Sequence, residues 1–174
     1  MQTLECVTAA LNPLNQTVPL KKIEVKKGQI LQRKGDLNSQ VYQVESGLLR
    51  SYSIDDNGKE HIFMFASENW IIADSVSPDH PAELFIDVLE DSIIYRRAKD
   101  IFSITETKKL INRMEVLQKR VIMLMSYSAI ERYEHFIETY PDIVQRVPQK
   151  LIASYLGITP EALSAAKRLR IRNK

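Results

Sequence analysis

Between Ile23 and Arg97 the apolar residues come in short runs cut by turn signals, and after Ala98 they fall into helical spacing. The runs 29–32, 41–44, 48–54, 60–66, 84–89 and 92–96 read as strands rich in β-branched and aromatic residues. Lys27-Gly28, Lys34-Gly35-Asp36, Ser46-Gly47 and Asp56-Asn57-Gly58 separate them. Asn57-Gly58 is the strongest hairpin signal, because both residues tolerate positive φ. Short strands at this spacing predict an antiparallel barrel or roll. Residues 1–20 read as a helical lead-in broken by Pro13 and Pro19.

In the second half, Leu110, Met114, Leu117, Val121 and Leu124 alternate by four and three, the spacing of a two-stranded coiled-coil seam. Ile111, Ile122 and Met125 supply a second apolar face that suits packing on the roll. One broad amphipathic helix lying on its own sheet is the alternative. A regular seam with a second face is better explained by a dimer. Ser128-Ala129-Ile130-Glu131 fits a capping box, so a new helix starts there and runs to Tyr140, where Pro141 ends it.

The stretch 148–170, PQKLIASYLGITPEALSAAKRLR, reads as a helix, a tight turn and a second helix. Pro148 suits the first helical position, and Gly157 falls where a helix must turn left-handed to stop. Thr159 can cap the second helix, Pro160 can take its first position, and Glu161 faces the positive end of the helix dipole. Ile152, Leu156, Ile158, Leu163 and Ala166 point inward, and Ala153 is small where the helices cross. This is helix-turn-helix spacing, whose second helix lies in a DNA major groove.

Charge strengthens that reading. Residues 147–174 carry six Lys/Arg against one Glu, a net of +5 in a chain whose total is +2, so residues 1–146 sum to −3. A charge run is usually a solvated face. Here Lys167, Arg168, Arg170, Arg172 and Lys174 follow the helix that should read bases, and phosphates are their natural partner.

Composition then removes other classes. The 174 residues are 44% hydrophobic and 26% charged, as in ordinary globular proteins, and the longest apolar runs have five residues, far short of a membrane span. A signal peptide is not visible at the N-terminus, so the expected location is cytoplasmic. The single Cys6 excludes an internal disulfide and a four-cysteine cluster. His61, His80 and His135 lack metal-ligand spacing, and no nucleophile–base pair or glycine-rich phosphate loop suggests an enzyme.

The order of parts, with 25–29, Lys34-Gly35-Asp36, 41–50 (VYQVESGLLR), Gly58-Lys59-Glu60 and 88–92 (VLEDS), resembles the Crp/Fnr superfamily of bacterial transcription regulators. The resemblance implies an α+β chain. Residues 1–100 would form an antiparallel, cyclic-nucleotide-binding-like jelly roll. A long dimerisation helix would follow over 101–127, then a helix-turn-helix DNA-binding domain over 128–174. It implies a homodimer on a two-fold symmetric double-stranded operator, with RNA polymerase as a further candidate partner.

Two departures from the family matter. Its members hold the ribose of a cyclic nucleotide with a Gly-Glu pair and the phosphate with Arg-Ser or Arg-Thr. The best matches here are Ala73-Asp74 and Ala82-Glu83, and no Arg or Lys occurs from Glu60 through Ile94. A buried phosphate facing a carboxylate instead of a guanidinium is strongly disfavoured, so cyclic AMP is not the expected effector, and no cofactor or metal is implied. In the reader helix the family's Glu-x-x-Ser-Arg becomes Glu161, Ser164 and Ala165. The expected DNA-binding set is Thr159, Glu161, Ser164, Ala165, Lys167, Arg168 and Arg170. The expected dimer interface is Leu110, Met114, Leu117, Val121 and Leu124. A small-molecule sensor module with little sequence-specific DNA binding is the alternative function.

Overall fold

Two long antiparallel strands carry the sheet. The structure, a computed structural model, describes residues 20–74, 79–99 and 107–172, with no account of side chains over 107–114. Strands β1 (Lys21–Val25), β2 (Ile30–Gln32), β3 (Gln40–Ile54), β4 (Glu60–Ala66), β5 (Ile71–Ala73) and β6 (Phe85–Ala98) precede four helices. These are α1 (Thr107–Ser126), α2 (Ala129–Thr139), α3 (Gln149–Leu156) and α4 (Pro160–Arg172). β3 and β6 pair from Gln40 opposite Ala98 to Tyr52 opposite Phe85. The order is β1-β6-β3-β4, with β2 added to β6 and β5 to β3. The lead-in expected over 1–20 lies almost wholly outside the described residues.

Side-chain alternation along these strands builds two cores. Val44, Leu49, Met64, Ile72, Ile86, Val88 and Ile94 fill the inside of the roll. Leu48, Tyr52, Ile62 and Phe65 point the other way, into one continuous cluster with Phe136, Tyr140, Ile152, Tyr155, Leu156 and Leu163. The helices therefore share a core with the outer face of the roll.

Several expected details are corrected. The runs 41–44 and 48–54 are one strand, as are 84–89 and 92–96. Gly47 bends the first pair instead of ending it, and the register against β6 shifts between Val44 and Leu49. Gly47 has φ +100°, and a Cβ there would lie 2.1 Å from Ser92 Oγ, so the bulge admits only glycine. β1 and β5 escaped the pattern, since one is mostly charged and the other has three residues. In the β3–β4 hairpin only Gly58 takes positive φ, and Asp55 Oδ1 accepts from Asn57 N and Lys59 N at 2.9 Å each. Pro148 is the N-cap of α3, one residue before the expected position.

The long helix also sits differently. Met123 is 1% exposed, while Ile122 and Met125, expected against the roll, are 47% and 81% exposed. The cause is polar. Arg120 donates to the carbonyls of Phe63, Ile62 and Tyr155, and its guanidinium lies 4.0 Å from the Tyr155 ring centroid. That anchor turns the Arg120–Met123 side of α1 inward. No helix among the described residues is long and apolar enough to cross a membrane.

One buried ion pair joins the two long strands. Arg50 donates from Nε and Nη2 to the two Asp87 oxygens at 2.8 and 2.9 Å, and from Nη1 to Glu60 at 2.6 Å. Both carboxylates push the guanidinium pKa up against its burial. Arg50→Ala leaves two carboxylates unpaired and should lower unfolding free energy by about 3–5 kcal/mol in urea titration. A loss below 1 kcal/mol would mean that water already screens the pair.

Candidate functional site

The C-terminal helix pair is built by local signals that hold in three dimensions. Gly157 ends α3 at φ +64°, and its N–H reaches back to Ala153 and Ser154 carbonyls. Thr159 Oγ1 accepts from Ala162 N at 3.2 Å and caps α4. Leu163 and Ala166 are buried against α3 and α2, and Ala153 is buried at the crossing. This is a helix-turn-helix whose second helix keeps one side open.

On that helix the expected reader residues divide into three groups. The Glu161 carboxyl is held below its ordinary pKa by its own backbone N–H and by the Thr159 hydroxyl, so it works partly as a cap. Ser164 Oγ donates to Pro160 O at 2.9 Å, back onto the helix. Lys167 Nζ lies 5.5 Å over the Tyr133 ring, and Arg170 is half-buried beside the same tyrosine. Arg168 and Arg172 remain exposed, in line with Glu161 and Ala165 at helical spacing. Arg172 was outside the expected set. Its spacing of four and seven from Arg168 and Ala165 would have placed it there.

Three arginines that the sequence pattern did not single out fix this unit to the rest. Arg132 donates to Leu124 O at 2.8 Å, Tyr127 O at 2.9 Å and Leu156 O at 3.0 Å. One guanidinium thus satisfies terminal carbonyls of α1 and α3 and spans the joint between long helix and reader. Arg146 donates to Glu68, Glu90 and Gly47 O, and so clasps the loop before α3 onto the roll. Arg120 completes the set. On α1, Leu117 is half-buried and Val121 and Leu124 are exposed, whereas the Leu110 and Met114 side chains lie outside the described residues.

The expected effector residues do come together at the end of β5. Asp74 is 4% exposed and Ala82 is buried, while Glu83 is exposed and Ala73 half-buried. Asp74 Oδ2 accepts from Glu83 N and Leu84 N at 2.8 Å each, and from Gln32 Nε2 at 3.3 Å. Gln32 Nε2 also donates to Leu84 O at 2.8 Å. Gly35 N and Asp36 O bracket Ala82 with two 2.8 Å bonds, which fixes this turn against the roll. Gln32 was absent from the expected set, and nothing in a strand-end glutamine flags it.

Residues 22–104 match the cyclic nucleotide-binding domain family. Among curated proteins, the chain is 25% identical over 177 residues to the Anaerobic regulatory protein of Haemophilus influenzae, covering 88% of this chain and 68% of that one. Its fold superposes on FixK2 of Bradyrhizobium japonicum with a TM-score of 0.76 at 17% identity, over 90% of this chain and 87% of the other. A structure described as a putative transcriptional regulator of the Crp/Fnr family, from Eubacterium rectale, gives 0.62 at 17% identity, over 86% and 77%. At such identities the two structures speak for the fold alone.

The Arg146 clasp gives a test in acid. Hydrogen bonding to Arg146 holds the Glu68 carboxyl at about 2, below its ordinary 4.5. A carboxyl depressed by folding stabilises fully above its unfolded pKa and loses that contribution as pH falls from 4.5 toward about 2. Carbon NMR of the Glu68 carboxyl should show the low midpoint in the native chain and the ordinary one in Arg146→Gln. Equal midpoints would dissolve the clasp.

Proposed function

We propose that the chain is a regulator of the Crp/Fnr type and that it binds DNA as a homodimer, one α4 in the major groove of each half-site. The observation that carries this reading is the open side of α4. Arg168 and Arg172 project there beside Glu161 and Ala165, on a helix otherwise packed by Leu163 and Ala166. Arg168 is best suited to a bidentate guanine contact, and Arg172 to a phosphate. Lys167 and Arg170 lie toward Tyr133 and contribute field more than readout.

Dimerisation is supported by the side of α1 turned away from Arg120. Val121 at 54% exposure, with Leu124 and Ile122, leaves an apolar stripe uncovered. A two-fold operator requires the paired α4 helices to lie about 34 Å apart, one turn of DNA. A change at the roll would reach α4 through α1 and Arg132, by tilting one reader relative to the other. RNA polymerase, met on the DNA, is the expected protein partner, and the cytoplasm the expected location. The relatives are regulatory proteins, and the chain is read as a regulator, not an enzyme. Ala82 and Glu83 offer no cationic side chain to a cyclic phosphate, so cyclic AMP is not the proposed effector.

One observation favours the second reading, a sensor module with little sequence selection: the Ser164 hydroxyl is spent within its own helix. A gel shift against genomic fragments at moderate salt separates the two. A discrete retained site is expected, and binding that is sequence-blind at every salt would overturn the regulator reading. With the site in hand, Arg168→Ala should lose about 1–3 kcal/mol of discrimination at one base pair. Lys167→Ala should weaken all sequences alike. For the dimer, Val121→Glu should give the mass of a single chain by light scattering, against twice that mass for the native protein. An unchanged dimer would move the interface elsewhere.

A further inference from the structure

We infer that the roll carries a built anion seat which the chain fills with its own Asp74 carboxylate, so that the regulator takes up no free anionic effector there. Two successive backbone N–H groups, those of Glu83 and Leu84, converge on a single oxygen of Asp74 at 2.8 Å each. Successive N–H groups aimed at one point form a concavity selective for carboxylate or phosphate oxygens. The Gln32 amide adds a third donor at 3.3 Å. Three donors on one oxygen are more than a turn needs to close.

The carboxylate and its amide donor are buried and do not lie at the surface. Asp74, Gln32 and Ala82 are 4%, 3% and 2% exposed. Gln32 Oε1 is buried without a hydrogen-bond partner among the described residues, so the side chain is held only through its Nε2 donors. Lys99, at the end of β6, is partly desolvated and feels the Asp74 charge. Its Nζ is held by Ser39 Oγ at 2.7 Å. On Asp74 Oδ2 the donors are thus two backbone groups and a buried amide, fixed in place by the fold. A free anion would have to displace a carboxylate tethered at effectively very high local concentration.

This inference rests on the regulator reading only for its consequence, that DNA binding needs no anion at the roll. The seat is tested without DNA. Native protein and Asp74→Ala are melted in sodium chloride and in formate, acetate or orthophosphate at matched ionic strength. Asp74→Ala should melt lower by about 5 °C, as expected for roughly 2 kcal/mol in a chain of this size. Formate should restore most of that loss in the variant and leave the native protein unmoved. Absence of any formate response in the folded variant overturns the seat, and so does native protein stabilised by these anions. Should Asp74→Ala not fold, amide exchange on the native chain decides. Glu83 and Leu84 N–H should exchange at least tenfold more slowly than unprotected amides, and fast exchange at both overturns the inference. A failed gel shift with a positive formate result would remove the DNA reading alone.

Discussion

The outer edge of β4 is where the molecule is held together. An edge strand offers carbonyls and N–H groups that need partners, and an uncovered one invites another chain. Here Ser154 Oγ, from α3, donates to Glu60 O at 2.7 Å and accepts from Ile62 N at 3.1 Å. Arg120, from α1, takes the carbonyls of Ile62 and Phe63. One edge therefore anchors both the long helix and the first helix of the reader. Everything that follows in orientation depends on that docking.

Around it the apolar contacts are continuous. Phe65 of β4 meets Phe136, Tyr140 and Tyr155, with ring centroids 5.8–6.2 Å apart. Trp70 closes the cluster on Tyr140 at 5.3 Å. Polar ties from Arg132 and Arg146 lie at its rim, where partial exposure keeps charge tolerable. The consequence is mechanical. A displacement of β4, or of the Gly47 bulge held by Arg146, is passed to α3 and α4 through packed side chains.

The same tightness marks the pocket. In the roll the Asp74 carboxylate takes up the Glu83 and Leu84 N–H groups and the Gln32 Nε2. On α4 the situation is reversed, with Arg168 and Arg172 exposed and without a partner among the described residues. Polar groups are largely consumed in the roll and kept available on α4.

Local chemistry was legible in the sequence wherever the deciding atoms are close in the chain. The Ser128–Glu131 capping box, the Gly157 turn, the Thr159 cap and the limits of β4 all follow from neighbours within four residues. The apolar stripe of α1 was also legible, because 3.6-residue periodicity is a local property. What the periodicity could not say was which side faces the roll. Ile122 and Met125 are as apolar as Met123, and the choice fell to Arg120, whose acceptors lie 35 to 58 residues away. Arg132, Arg146 and Ser154 were invisible for the same reason. A guanidinium or hydroxyl carries no mark of the distant carbonyl it will satisfy. Nor could composition tell that Lys167 would lie over Tyr133 while Arg168 stayed in solvent. The sequence by itself determined the helix caps, the tight turns and the order of roll, long helix and terminal helix pair. Only the tertiary structure decided which polar groups are spent inside and which are left to act, since that depends on long-range hydrogen bonds that no local pattern encodes.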